Sequence, residues 1–136
     1  MRGKNNLNRR RVANDNITNL CKKEVFVFGS NKKGHHSGGA AKFASDHFCA
    51  QWGVGEGKTG RCYAIPTMEG ITSFRAAVIR FIRYARTHQD RIFLVTKVGC
   101  GIAGYTVEQV APMFRPCIQL DNVYLPAEFF NYYTYQ

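Results

Sequence analysis

The fold class this sequence predicts is α/β, with helices covering both faces of a largely parallel sheet, and three observations predict it. Short apolar runs alternate with segments of helical periodicity. Two of those runs open into glycine-rich loops that lead straight into helices. The 136 residues, 45% of them apolar, suffice for one core of ordinary size and hardly for two.

The chain divides into a basic leader over residues 1–23 and a folded domain over 24–136. The leader holds seven Lys/Arg and one Asp of a chain whose net charge is +10, so much of the basicity belongs to a polar stretch unable to bury a core. It reads as a solubilising tail, or else as an arm for phosphates of RNA, DNA or a charged partner.

Val25 to Phe28 is a short apolar run ending at Gly29, as a buried strand does, and it passes into the polar turn Ser30–Gly34. After the loop His35–Gly39, apolar positions Ala40, Ala41, Phe43, Ala44 and Phe48, with His47, recur at three- and four-residue spacing, which predicts a helix. Gly53, Gly55, Gly57 and Gly60 predict a mobile or ligand-wrapping loop, followed by a strand at Cys62–Ile65 that Pro66 closes.

Ile71, Phe74, Ala77, Val78, Phe81, Ile82 and Ala85 form one stripe of an amphipathic helix, with Arg75, Arg80, Arg83 and Arg86 on its other faces as a solvated surface. Ile92 to Thr96 is the next strand. Beyond the glycine loop, Thr106 with Gln109 three residues on is a capping box that starts another helix, which Pro112 should kink or shorten. Val123 to Leu125 makes a last strand, and the aromatic stretch Phe129–Tyr135 packs on the core.

Composition excludes several classes. No run approaches the length of a membrane span, and no apolar segment follows the basic start as in a secretory signal, so a cytoplasmic protein that avoids membranes is expected. Cys21, Cys49, Cys62, Cys100 and Cys117 make an odd count without a C-x-x-C pair, which suits reduced thiols better than disulfides or a zinc knuckle. His35, His36, His47 and Cys49 have no standard ligand spacing, so no metal is expected.

The two glycine loops carry the chemistry. Each would present backbone N–H groups and the positive end of a helix toward one edge of the sheet, where α/β proteins hold phosphates. In the first loop Gly29, Ser30, Asn31, Ser37, Gly38, Gly39 and Ala40 are candidates, with Asn31 offering its amide to a ribose; Thr67 joins them from the middle strand. In the second loop they are Gly99, Cys100, Gly101, Ile102, Ala103, Gly104 and Tyr105, with Tyr105 covering a ribose or packing as a rim aromatic.

Other patterns carry less. Gly57-Lys58-Thr59 lacks the first glycine of a P-loop, since position 52 is Trp52. Gly99 to Gly104 spells G-x-G-x-x-G, with Asp121 at the spacing of a ribose-binding acid, but no full βαβ unit is well placed around it. Cys100 at a helix start invites a lowered thiol pKa and a nucleophilic role, against which a small-residue loop role is favoured.

Taken together, VFVFGSN, GHHSGGAAKFA, CYAIPT and FLVTKVGCGIAGYTVEQVAPMF resemble the order of elements in macrodomains, from Val25 to about Leu125. VGCGIAG resembles the phosphate loop of the branch that includes terminal ADP-ribose protein glycohydrolases. The resemblance implies a three-layer α/β/α fold with a mixed, largely parallel sheet. It also implies an ADP-ribose-like ligand whose diphosphate lies between Gly38–Ala40 and Gly99–Gly104, its distal ribose toward Asn31.

That branch places an acid where this chain has Ala103, and a lysine where it has Thr67 or Met68. His35, His36 and Glu56 are the remaining polar candidates for hydrolysing an ADP-ribosyl adduct. The expectation is therefore binding of ADP-ribose or a related NAD-derived nucleotide, free or on an ADP-ribosylated protein, with hydrolysis as its enzymatic form and no separate cofactor. The competing expectation is a basic module that associates with nucleic acid through the leader and the Arg75–Arg86 face.

Overall fold

The computed structural model of the chain describes residues 11–135. Six strands, β1 (Val12–Ala13), β2 (Glu24–Ser30), β3 (Gly57–Thr59), β4 (Cys62–Pro66), β5 (Ile92–Val95) and β6 (Val123–Pro126), form one sheet in the order β1-β6-β5-β2-β4-β3. Every neighbouring pair is parallel except β3 with β4. Four α-helices are interleaved: α1 (Gly39–His47), α2 (Ile71–Arg86), α3 (Val107–Phe114) and α4 (Ala127–Thr134).

Strand β2 shows why helices cover both faces. Its buried side chains alternate, so Val25 and Val27 point into the larger core with Phe74, Phe81, Phe114 and Phe129 of the helices, while Phe26 and Phe28 point into a smaller core against Ala41 and Ala44 of α1. The larger core holds α2, α3 and α4 on one face, and α1 covers the other, so the α/β expectation holds.

Helix α2 buries the stripe foreseen from its spacing, Phe74 through Ala85, and its arginines lie exposed. Helix α3 starts at the Thr106 capping box: the Gln109 N–H donates to Thr106 Oγ1 (3.2 Å) and the Thr106 N–H to Gln109 Oε1 (2.9 Å). Pro112 is accommodated inside α3, which ends two residues later and tightens into a 3-10 turn over Arg115–Gln119.

Two sequence expectations change here. The Gly53–Gly60 segment is in part regular and packed: Gly57–Thr59 is strand β3, and Gly55 lies so close to the preceding turn that a Cβ there would meet the Asn31 carbonyl at 2.2 Å. The stretch read as leader divides, with residues 1–10 outside the described residues. From Arg11 on it joins the fold, since β1 pairs with β6, the Leu125 N–H donates to the Arg11 carbonyl (2.9 Å), and Ile17 and Leu20 pack on the smaller core. Periodicity misses β1 because two residues are too short to show any.

Candidate functional site

All five parallel strands run the same way, so the segments leaving β1, β2, β4, β5 and β6 gather at one edge of the sheet. They enclose a cleft of about 870 Å³ there. A volume in the upper part of the usual small-molecule range, at the carboxyl ends of parallel strands, is where α/β folds place ligands.

Opposing walls of the cleft are the two glycine loops. From the first come Gly29, Ser30, Asn31, His35, Ser37, Gly38, Gly39 and Ala40. From the second come Gly99, Cys100, Gly101, Ile102, Ala103 and Tyr105, with Thr67 between them at the end of β4. Gly104 is the one second-loop candidate outside this lining.

The loops meet closely at two places. A Cβ on Gly29 would lie 3.3 Å from the Gly99 nitrogen, and a Cβ on Gly38 would lie 3.3 Å from Ile102 Cδ1. Ile102, 77% exposed, thus leans from one loop over the other instead of joining the core. Gly99 has φ +81, and a Cβ there would strike Phe74 Cε2 at 2.6 Å, so Phe74 of α2 supports the second loop from below. Tyr105 tilts against the same ring at 5.3 Å and returns its N–H to the Gly99 carbonyl.

Several candidate side chains are committed to holding the loops. Asn31 staples its own turn, with Nδ2 donating to the His35 carbonyl (3.0 Å) and Oδ1 accepting the His35 N–H (2.9 Å). One amide hydrogen and one lone pair remain for a ligand. Ser30 Oγ lies 2.9 Å from the carbonyls of both Asn31 and Gly55, which share its one proton, and Thr67 Oγ1 donates to the Ser30 carbonyl, so both buried hydroxyls brace the wall.

Of the three catalytic candidates, only His35 lines the cleft, stacked on the exposed Trp52 ring at 5.2 Å. His36 is buried behind the wall against Phe28, where Nε2 donates to the Gln51 carbonyl at 3.1 Å. Glu56 lies outside the cleft lining, gripped by Arg80 through two contacts of 2.6 and 3.0 Å. A charge pattern alone could not foresee that Arg80, well into α2, would reach it.

Cys100 lines the cleft, but burial raises its thiol pKa above the ordinary value, and Lys97 only partly offsets this. A lowered thiol pKa is therefore corrected: the sulfur is held as a neutral thiol. Asp121 sits exposed before β6, at the opposite edge of the sheet from the glycine loops, with Arg11 at 3.8 Å, so it cannot act as the ribose acid of a G-x-G-x-x-G site. Among the described residues, no three His, Cys, Asp or Glu side chains come together as metal ligands, and no helix is long and apolar enough to cross a membrane.

The structure adds residues that pattern reading missed. Asn14, Asp15, Asn16, Ile17 and Thr18, leaving β1, form one end of the cleft. Lys97 and Glu128 also line it, paired at 2.8 Å, and hydrogen bonding to Glu128 raises the lysine pKa, aided less by the charge of Asp15. Asp15 and Glu128 are thus the carboxylates of this cleft. Their signal was hidden because each follows a strand, β1 or β6, that only the assembled sheet carries to the site.

No family model, no curated protein and no solved structure matches the chain.

Proposed function

We propose that this cleft binds ADP-ribose or a related NAD-derived nucleotide, as the macrodomain-like order of elements implies. The carrying observation is that glycine loops from β2 and β5, each leading into or toward a helix start, form facing walls of a single cleft of about 870 Å³. Backbone N–H groups suit a diphosphate there, because they supply donors without a side chain to crowd it. The apolar side chains Phe26, Phe43 and Ile17 in the lining suit a purine ring, and Asp15, in the same lining, suits an exocyclic amino group as acceptor.

Binding without turnover is the reading we favour over hydrolysis. Ala103 stands where the glycohydrolase branch has its acid, His36 and Glu56 are occupied elsewhere, and Glu128 is neutralised by Lys97. Of the histidines and carboxylates discussed, His35 and Asp15 remain in the lining without an ion pair among the described residues.

The test is thermal unfolding of the full chain with ADP-ribose, NAD, AMP and cyclic ADP-ribose. At a hundred times the dissociation constant, ligand stabilises by about 2.7 kcal/mol, which raises the midpoint of a domain this size by roughly 10 °C. Stabilisation by ADP-ribose and not by AMP is expected; no shift with any of the four would reject the reading. Release of ADP-ribose from a modified protein at high protein concentration would replace binding by hydrolysis.

A further inference from the structure

The edge of the sheet opposite the cleft is chemically unlike the cleft edge. The segments that leave the parallel strands, 14–18, 31–38, 67–70, 96–106 and 127–128, hold Lys32, Lys33 and Lys97 against Asp15, Glu69 and Glu128, and so balance. The segments that enter the strands hold Arg11, Lys22, Lys23, Arg61, Arg91 and Arg115, joined by Lys58 of β3 and Arg86 at the end of α2, against Asp90, Asp121 and Glu24 at the start of β2.

Those cations are drawn together by the strand order. The Ile92 N–H donates to the Lys23 carbonyl (2.9 Å) and the Phe26 N–H to the Arg61 carbonyl (2.9 Å), so Lys23, Arg91 and Arg61 begin the adjacent strands β2, β5 and β4. Three adjacent strand starts span about 10 Å. Arg61 also donates to the Leu20 and Cys21 carbonyls, which holds the Lys22-Lys23 segment beside it. Burial, and then the charges of Arg91 and Arg61, press the Lys58 pKa below its usual value, as crowding of like charges does.

The carboxylates offset this surface only in part. Glu24 accepts the Cys21 N–H, and Asp90 and Asp121 lie 3.7 and 3.8 Å from Arg91 and Arg11. Lys22, Lys23, Lys58, Arg61 and Arg86 have no ion pair among the described residues. A partly buried ring pair stands at the same edge: His88 lies flat on Tyr84 at 3.8 Å, and both residues keep some exposure to solvent.

We propose that this basic edge, remote from the nucleotide cleft, is a docking surface for the phosphate backbone of a nucleic acid. Crowded cations, most of them without a carboxylate partner among the described residues, are neutralised by polyanion phosphates, and the His88–Tyr84 stack offers a ring beside them to an unpaired base. The surface differs from the Arg75–Arg86 helix face, since of those arginines only Arg83 and Arg86 lie in the last turn of α2, and it does not depend on what the cleft binds.

Fluorescence anisotropy of the full chain with a 20-base-pair DNA duplex and with a 20-nucleotide RNA, at several salt concentrations, tests it. Each phosphate contact adds about 0.9 to the log–log salt slope for duplex and about 0.7 for single strands. Lys22→Gln/Lys23→Gln/Lys58→Gln/Arg91→Gln should therefore lower the slope by about 3 and weaken low-salt binding at least tenfold, while Arg75→Gln changes neither by more than about one contact. The fourfold variant should keep its melting temperature and its response to ADP-ribose; if it does not fold, the pairs Lys22→Gln/Lys23→Gln and Lys58→Gln/Arg91→Gln are read separately.

No binding to either nucleic acid at 50 mM salt, or an unchanged slope in the variants, would overturn the proposal. So would tighter binding to vesicles containing phosphatidylserine than to both nucleic acids, which would make the edge a membrane surface. A chain that binds nucleic acid through these residues yet ignores ADP-ribose would sustain this proposal and reject the nucleotide reading.

Discussion

Replacing Gly99 by alanine tests how the second glycine loop is held over the core. Two costs act on the new methyl group. Its backbone stays at φ +81, where an L-residue loses about 1–2 kcal/mol, and its Cβ would stand 2.6 and 2.8 Å from Phe74 Cε2 and Cζ, an overpacking worth about 1–3 kcal/mol. Phe74 is fully buried and cannot swing out, so the loop must lift, and the total should be about 2–5 kcal/mol. Urea unfolding followed by circular dichroism measures it.

A double-mutant cycle separates the two parts. Phe74→Leu removes the ring atoms that the methyl meets, so Gly99→Ala should cost less in the Phe74→Leu background by about 1–3 kcal/mol, while the backbone part persists. Because the loop forms one wall of the cleft, the same substitution should also weaken the ADP-ribose response at constant protein fold. A loss below about 0.5 kcal/mol, or strict additivity of the two changes, would refute the account of Phe74 as the support beneath Gly99.

Further predictions concern the elements around the site. Tyr133→Phe removes the buried hydrogen bond from the Tyr133 hydroxyl to the Ala111 carbonyl (2.6 Å) and should cost about 1–3 kcal/mol in the same unfolding assay. Thr106→Ala loses the N-cap of α3 and should cost about 1 kcal/mol, with Thr106→Ser restoring most of it. Burial pushes the thiols of Cys62 and Cys117, ordinarily near 9.0, up to about 12, and that of the Tyr63 phenol up to about 12 as well. The native state then holds protons that the unfolded chain releases, so stability should be full below about pH 9 and fall as pH rises toward 12; midpoints in urea from pH 7 to 11 check this. In native protein, iodoacetamide at pH 8 should label the exposed Cys21 and Cys49 well before Cys62 and Cys117, as peptide mass spectrometry would read.

The parts of this molecule that reveal themselves in sequence are those whose cause is local. Phe74 to Ala85 are legible as a helix because burial of one face imposes its own spacing, and Thr106 with Gln109 because a cap satisfies backbone donors three residues away. The two glycine loops are legible because each lies between a strand and a helix that are themselves patterned. What escapes depends on partners far along the chain. Asp15 and Glu128 reach the cleft only through the β1–β6 edge of the sheet, and Glu56 is withdrawn from candidacy by Arg80 across a fold contact. Even the segment Gly53–Gly60 reads as mobile, since nothing nearby in sequence shows that Gly55 is there to let the Asn31 turn pass.

The two-residue strand β1 has an effect on how the molecule comes into being. Val12 pairs with Leu125 and Ala13 with Pro126, so the end wall of the cleft at 14–18 is positioned by a contact spanning more than a hundred residues. Such closure is non-local, and contacts of high sequence separation slow folding relative to the local contacts of helices. During synthesis both glycine loops precede β6, whose pairing with β1 places the end wall of the cleft. A ligand that touches residues 14–18 would then act as a latch across β1 and β6.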